Sequence, residues 1–510
     1  MLPLLRFLLT LTFRLNDSLF PWLFPPLFAT FYTVIQALNG NPPFELTEEQ
    51  VKALVDELAS YHAIYSPYFG HSSQPGYSYH YLAGLLDPTI SRKSAENIAL
   101  ATLGSASVRA LQYFLGGSRW SDDGLIAEHR VQSGLTLGRS NGILIVDGSD
   151  IPKQGDDSVG VQRQWCGELG KKANCQAGVF LGYSSEAGYT LLDKRLYLPA
   201  AWFTPAYAAQ RFQCHIPADV RFQTKNELAW AMIAALVQAD TLPVRWITMD
   251  EAFGHDSQLL DRIDSETDCY YFAEVPRNTQ LWLEAPATYV PQPTGRGRPG
   301  TNRRLVPTAP AAQTVADLAA QLPADAWQTH ALRQGSKGFL IAQIATRRIF
   351  PARNGLPGAA CWLVIRRSST DPTDIHFFIS SAPADIPRQE LIYVCSMRWP
   401  IEIIFEQAKQ LLGLNEYETR TWFGWHHHMA HVILAFGFLA RTQAIFRTDA
   451  PALTLPQVVD LLKAVLPKPA FDAHAALELL RYKQARIACA KRSHYKMQKI
   501  KIMKSIVVTQ

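Results

Sequence analysis

Cysteine is scarce in this chain. There are seven in 510 residues, an odd number, and no Cys-x-x-Cys pair. That excludes a disulfide framework and leaves no zinc-ribbon spacing, so buried, reduced thiols of a cytoplasmic protein are expected. Long unbroken apolar runs are also missing. A spanning helix needs about 20 apolar residues in succession. Residues 1–45 come nearest, with Leu4, Leu5, Phe7, Leu8 and Leu9, then Phe20, Trp22, Leu23 and Phe24, but Arg14, Asp17, Pro21, Pro25 and Pro26 interrupt them. A signal peptide would need a small-residue cleavage site, and none is evident. The stretch reads as a packed apolar N-terminal extension, and no membrane partner is expected. Charge is sparse as well: 18% of residues, net +5. Acids disappear altogether after Arg481, where Lys483, Arg486, Lys491, Arg492, Lys496, Lys499, Lys501 and Lys504 follow with no Asp or Glu. Such a block is either a solvated tail or a salt-sensitive contact for a polyanion.

What is present describes an ordered globular protein, with 48% hydrophobic residues. A chain this long is expected to form two to four structural units. Residues 46–140 read as helical. Thr47-Glu-Glu-Gln50 is a capping-box pattern opening a helix over Val51–Tyr61, and further helices are expected over Ala95–Leu103 and Ser107–Leu115. With Arg92, Lys93 and Arg119 nearby, this region is either a DNA-binding domain or a scaffold.

Residues 141–275 change character. Ile143–Val146 is a short apolar run typical of a strand covered on both faces, and it ends at Asp147. Strands are expected over Cys175–Ser184 and Tyr189–Leu198, a helix over Asn226–Ala239, a strand over Pro243–Met249 ending at Asp250, a helix over Gly254–Ile263 and a strand over Cys269–Val275. The order β-β-β-α-β-α-β predicts a mixed sheet flanked by helices, the pattern of a ribonuclease-H-like core. Residues 276–375 interrupt it and read as an insertion region with strand-like runs at Gly338–Ala345 and Ala360–Arg366. Gly295-Arg-Gly-Arg-Pro-Gly300, carrying Arg296 and Arg298, is a flexible linker or a clamp on a nucleic-acid backbone.

Residues 376–445 return to the core, with a strand at Ile375–Ser380 and helix from Glu390 onward. Within that helix Arg398, Glu402 and Lys409 project from one face, while Ile401, Ile404, Phe405, Ala408 and Leu412 fall on another. The charged face alone could be a surface ladder. His427 and His431 have the spacing of a zinc pair, but no third ligand accompanies them, so a buried polar helix face is expected. Residues 446–510 form a helical C-terminal region, with helices at Gln457–Leu466 and Ala473–Arg481 before the basic tail.

Sites in open α/β sheets gather at the carboxyl ends of strands. Asp147 and Asp250 end two such strands, and a late helix can bring Glu402 beside them. Three converging carboxylates repel one another without a counter-charge. A pair of Mg²⁺ ions supplies it, activating an attacking hydroxyl and stabilising a leaving oxygen of a phosphodiester. Lys153, Arg398 and Lys409 are placed to hold phosphates, and Asp150, Glu251 and Glu406 remain alternative carboxylates.

These residues resemble the DDE transposases of bacterial insertion sequences, especially the insertion-sequence family seven-oh-one, whose larger group carries Tyr-x2-Arg-x3-Glu-x6-Lys. Arg398, Glu402 and Lys409 fit that spacing, and Cys395 stands at the tyrosine position with Tyr393 two residues before it. Val146–Lys153 is similar to the first-aspartate motif, with Gly148 and Ser149 where an acid and Thr are usual, and Met249–Gly254 is similar to the second. Ser158–Gly167, Gly170–Gln176, Arg195–Pro199 before Trp202, and Tyr81–Leu86 are also family-like. The resemblance implies Asp147, Asp250 and Glu402 as metal ligands, Mg²⁺ that Mn²⁺ can replace, and cut-and-paste transposition. It further implies DNA partners (terminal inverted repeats and target DNA), a homodimer or higher assembly, and a nucleoid-associated setting. The competing expectations are a catalytically inactive DNA-binding derivative and a nuclease that hydrolyses without joining strands.

Overall fold

The computed structural model describes residues 43–291, 302–335, 338–371, 373–397 and 400–508. The described residues open with six α-helices: α1 (Glu48–Lys52), α2 (Leu54–Ala63), α3 (Gln74–Leu86), α4 (Ala95–Thr102), α5 (Val108–Gly116) and α6 (Asp122–Leu137). Thr47 and Gln50 form the anticipated capping box on α1, and Ser94 and Ser121 cap α4 and α6. Helices α3 and α6 are not evident from apolar periodicity. The first begins on Gln-Pro-Gly, and the second is rich in polar residues whose burial comes from tertiary packing.

Next come β1 (Ile143–Pro152), β2 (Gln162–Cys166), β3 (Lys171–Ser185) and β4 (Gly188–Tyr197), then α7 (Ala208–Gln213), α8 (Lys225–Ala239), β5 (Trp246–Met249), α9 (Glu251–Gly254), α10 (Ser257–Glu266) and β6 (Tyr270–Val275). Short strands β7 (Gln280–Trp282), β8 (Thr288–Tyr289), β9 (Arg304–Leu305) and β10 (Gln313–Thr314) precede α11 (Val315–Gln321). After it come β11 (Gln328–Gly335), β12 (Gly338–Arg353), β13 (Leu356–Pro357), β14 (Cys361–Ser368) and β15 (Ile375–Ser380). The chain closes with α12 (Arg388–Ser396), α13 (Pro400–Leu412), α14 (Trp422–Ile445), α15 (Leu455–Val465) and α16 (Ala473–Val508).

The result is a mixed α/β fold. β1 pairs parallel with β5 and β5 with β6, while β3 runs antiparallel to β1 and β4 antiparallel to β3. Apart from the two-stranded sheet of β8 and β9, the strands after residue 276 join this same sheet. β15 pairs antiparallel with β6, β14 with β15 and β12 with β14, so the anticipated insertion widens the same sheet. Strand alternation divides the core. Ile143, Ile145 and Trp246 join one apolar cluster with α12, α13, α14 and α15, whereas Leu144, Val146, Ile247 and Met249 join another with α8 and α10.

Two boundaries differ from expectation for identifiable reasons. The single helix expected from Glu390 is two helices, because Pro400 has no N–H to extend a preceding helix and instead opens α13. Helix α16 continues far beyond Arg481, through Lys, Arg, Ala and Gln residues that favour helix, with no Gly or Pro to stop it. Among the described residues no helix is long and apolar enough to cross a membrane. All seven cysteines are free thiols, and only Cys489 among them is exposed.

Helix α14 is buried on nearly every side and packs against the N-terminal helices and β4. Its histidines are internal hydrogen-bonding groups. His427 Nδ1 lies 2.8 Å from the Leu115 carbonyl and its ring stacks on Trp120 at 3.6 Å. His431 Nε2 meets Ser78 Oγ at 2.9 Å, and Ser78 in turn meets His62. A buried ionic group joins α6 to β4: Lys194 with Asp122, and Asp193 with both Arg130 and Arg195. Burial pushes the imidazoles of His62, His129 and His427 down to about 4 and those of His426, His428 and His431 to about 3.

These six rings stay neutral in the fold, whereas the unfolded chain protonates them near pH 6.5. Between about pH 6.5 and 4 the unfolded state binds more protons, so stability is full above that window and falls as the pH is lowered through it. At about 1.4 kcal/mol per pKa unit, each ring costs about 2 kcal/mol at pH 5. The expected outcome is a Tm at pH 5 lower by about 10 °C or more than at pH 7.5. A melting temperature that is flat across that range contradicts it.

Candidate active site

The site begins with strand register. Val146 of β1 lies opposite Met249 of β5, and Met249 lies opposite Ala273 of β6. The next residue on each strand is acidic: Asp147, Asp250 and Glu274. Parallel neighbours are about 4.8 Å apart, so the pairing sets the three carboxylates in a row. Alternation places all three on the face of Ile145, Trp246 and Phe272, the face that α13 covers. Asp147 does not end β1 as expected. β5 stops at Met249, while β1 runs on to Pro152 against β3. The aspartates therefore lie where the neighbouring strand leaves, the kind of place at which open α/β sheets form their binding crevice.

Local bonds orient the row. Asp147 Oδ1 accepts the Gly148 N–H at 2.6 Å, and Asp250 caps α9 by accepting the Phe253 N–H at 3.2 Å. Glu274 was not anticipated. Its Oε1 lies 2.6 Å from His376 Nδ1, and His376 Nε2 lies 3.0 Å from Asp374 Oδ1. The acid follows an ordinary Tyr-Tyr-Phe-Ala strand, and only the register reveals it. A groove of about 1190 Å³ opens at Glu274, lined in part by Glu251, Glu274, Arg277, Trp327, Arg367 and His376.

Helix α13, which carries Glu402, packs on the same face of the sheet. Ile401, Ile404, Phe405, Ala408 and Leu412 are all buried, as the pattern predicts. Gly182, paired with Ile145, makes room: a Cβ there would lie 2.7 Å from Ile401 Cδ1. Phe180, opposite Asp147, meets Phe405 edge-on with centroids 5.4 Å apart. Gly413, at φ +66, ends the helix in the left-handed conformation. Glu402 is exposed on the first turn of α13. Lys409, two turns on, is paired with Glu168.

The other candidates fall elsewhere. Lys153 follows the far end of β1, about 20 Å along the strand from Asp147. Its ammonium lies 3.5 Å from the centre of the Tyr417 ring and donates to the Tyr417 carbonyl. Burial, with Arg92 adding to it, brings its pKa down to about 8 against the opposing pull of Glu418. Asp150 accepts the Gly167 N–H at 2.7 Å and serves a turn. Glu251 lines the groove, and Glu406 is exposed one turn beyond Glu402. Arg398, Arg296 and Arg298 lie outside the described residues.

The donor chemistry of the row suits a hard divalent cation, because carboxylate oxygens are its preferred ligands and register sets two of them side by side. Among the described residues, however, no three His, Cys, Asp or Glu side chains stand as a group that could hold a metal ion.

Fold and site together define a mixed α/β protein with a row of carboxylates at a sheet crevice. Its family follows from a direct match: residues 65–339, more than half of the chain, fit the model described as DDE superfamily endonuclease, and the chain belongs to that family. The match contains Asp147, Asp250 and Glu274 and ends before Glu402. No curated protein matches the chain. Among solved structures the chain is similar to one described as "Cryo-EM structure of piggyBac transposase synaptic complex with hairpin DNA", at 10% identity and a TM-score of 0.36, over 86% of this chain and 83% of that one. A likeness that distant carries no argument about the site.

The fit of α13 over Gly182 gives a direct test. Gly182→Val drives a branched side chain into Ile401 and lifts the helix. The expected cost is about 1–3 kcal/mol in denaturant unfolding, with a loss of site activity larger than the loss of folded protein. Unchanged stability and activity would show that α13 does not depend on this contact.

Proposed function

We propose that the chain is a DDE transposase that cuts DNA at the ends of an insertion sequence and joins them to a target. The observation that carries the reading is the pairing of β1 with β5, which sets Asp147 beside Asp250 at the crevice. The succession β1, β3, β4, α8, β5, α10, β6 supports a ribonuclease-H-like core, and membership of the DDE superfamily endonucleases supports phosphodiester chemistry.

In this reading Asp147 and Asp250, with Glu402 from α13, hold a pair of Mg²⁺ ions, for which Mn²⁺ can substitute. When bound, such ions supply a lowered pKa for the attacking hydroxyl and stabilisation of the leaving oxygen. The chain's own residues do the rest. The sheet fixes the two aspartates by register. Helix α13 sets the position of Glu402 and is itself fixed by the buried contacts of Ile401, Ile404 and Phe405. Lys409, keeping its pairing with Glu168, meets the DNA backbone along α13, together with Arg398. Arg296 and Arg298 contact the backbone from the 292–301 segment, and Lys153 is a more distant phosphate contact. Terminal inverted repeats and target DNA are the substrates, with two or more copies assembling on paired ends.

The test is cleavage of a labelled duplex carrying the element's own ends, with Mg²⁺ or with EDTA. Asp147→Ala, Asp250→Ala and Glu402→Ala are each expected to lower metal-dependent cleavage on the order of a hundredfold or more while end binding persists. Cleavage by any of the three at the wild-type rate would overturn the assignment of that residue. Cleavage that ends in nicks, with no joining of a pre-cut 3′-hydroxyl end, would restrict the protein to hydrolysis.

A further inference from the structure

Between β1 and the body of β3 the chain makes a hairpin, formed by β2 and the first residues of β3 and closed by a 3₁₀ turn over Gly167–Leu169. Arg163 lies opposite Asn174, and Trp165 lies opposite Lys172. Directly opposed residues share a face, as do residues two apart on one strand. Arg163, Trp165, Lys172 and Asn174 therefore form one surface of the hairpin, and Lys171 is exposed next to it.

Trp165 is 62% exposed, whereas Trp202, Trp246 and Trp425 are fully buried. An indole left largely in water forgoes a burial gain that this fold realises for those three tryptophans. Cations stand closest to it. Arg163, Lys171 and Lys172 are exposed, and the nearby acids are already engaged: Glu168 by Lys409, Asp156 by the Asn174 amide at 2.7 Å, and Asp157 by Arg420 at 2.8 Å.

The hairpin is also held in place. Asp150, three residues past Asp147 on β1, accepts the Gly167 N–H, and Glu168 is tied to Lys409 on α13, seven residues past Glu402. Those spacings correspond to about 10 Å along a strand and about 10 Å along a helix. Two of the elements that carry candidate catalytic carboxylates, β1 and α13, thus anchor this exposed aromatic, at about a nucleotide or two from the carboxylate row.

We propose that this surface is a stacking platform for an unpaired nucleotide of the DNA held at the crevice. The Trp165 ring takes the base, and Arg163 and Lys172 meet the flanking phosphates. The proposal rests on the DNA-processing reading of the site. Cations beside a lone aromatic suit nucleic acid, since every base offers a π-face and every nucleotide a negative charge. An apolar protein partner would be met by a wide apolar rim, and on the hairpin itself, among the described residues, Leu169 alone adds a large exposed apolar side chain to Trp165.

The test compares the full-length protein with Trp165→Ala, Trp165→Phe and the double variant Arg163→Gln/Lys172→Gln. The probes are a blunt DNA duplex and the same duplex with a single-stranded 3′ extension carrying a fluorescent adenine analogue. The wild type is expected to quench the analogue. Trp165→Ala is expected to lose the quenching and to bind the extended duplex about tenfold more weakly, with blunt-duplex affinity unchanged, while Trp165→Phe retains most of both. The double variant is expected to weaken binding to both probes and to reduce the salt slope by about two. Trp165→Ala that quenches and binds as the wild type does, or that loses affinity equally for both duplexes, overturns the platform alone. A change in oligomeric mass of Trp165→Ala without a change in quenching reassigns the surface to self-association and overturns it as well. A wild type that binds neither duplex removes the DNA reading and the platform with it.

Discussion

The parallel pairing of β1 with β5 is the constraint on which the site depends. It matches Val146 to Met249, and because each strand carries an aspartate at its next position, two like charges are brought to neighbouring places at one edge of the sheet. A slip of one residue would turn one aspartate to the opposite face and break the apolar sets on both sides, since strand faces alternate with a period of two. Register is therefore enforced by burial. Ile143 and Ile145 must face one cluster and Leu144 and Val146 the other. The chemistry of the carboxylates is positioned by hydrophobic packing a residue or two away.

The rest of the molecule serves that arrangement. Helix α13 lies on the aspartate-bearing face because Gly182 leaves room for Ile401, and α14 holds α13 from behind. Helix α14 is wrapped by the N-terminal helices, whose polar contacts with it include those of the neutral histidines and the ion pair of Arg441 with Glu57 at 3.7 Å. A buried ionic group, Asp122 and Asp193 with Lys194, Arg130 and Arg195, fixes α6 on β4 at the flank of the sheet. Removing one member of such a group leaves an unpaired charge in an apolar setting, at a typical cost of about 3–5 kcal/mol.

Much of this was legible in the sequence, and the reasons are local. Ile143–Val146 and the run ending at Met249 are apolar enough to be read as covered strands, and each is followed by its aspartate. The apolar stripe of α13 predicts its buried residues one by one, because helical periodicity is a property of the segment itself. What was not legible depends on partners. No local pattern says that β6 pairs with β5 so that Glu274 continues the row, or that β15 joins β6 and draws the inserted strands into the same sheet. Strand β2, with its Gln-Arg-Gln-Trp-Cys sequence, lacks the apolar alternation that marks a strand and exists because β3 offers it an edge. The length of α16 was missed for the opposite reason: a run of cations reads as a tail, although its residues are good helix formers.

The most direct test of this account is a crystal structure of the full-length protein soaked in Mn²⁺, with the ion located by its anomalous scattering. The account predicts a peak between the carboxylates of Asp147 and Asp250, on the sheet face covered by α13. A peak bound elsewhere, or a structure in which the two aspartates face opposite sides of the sheet, would contradict it.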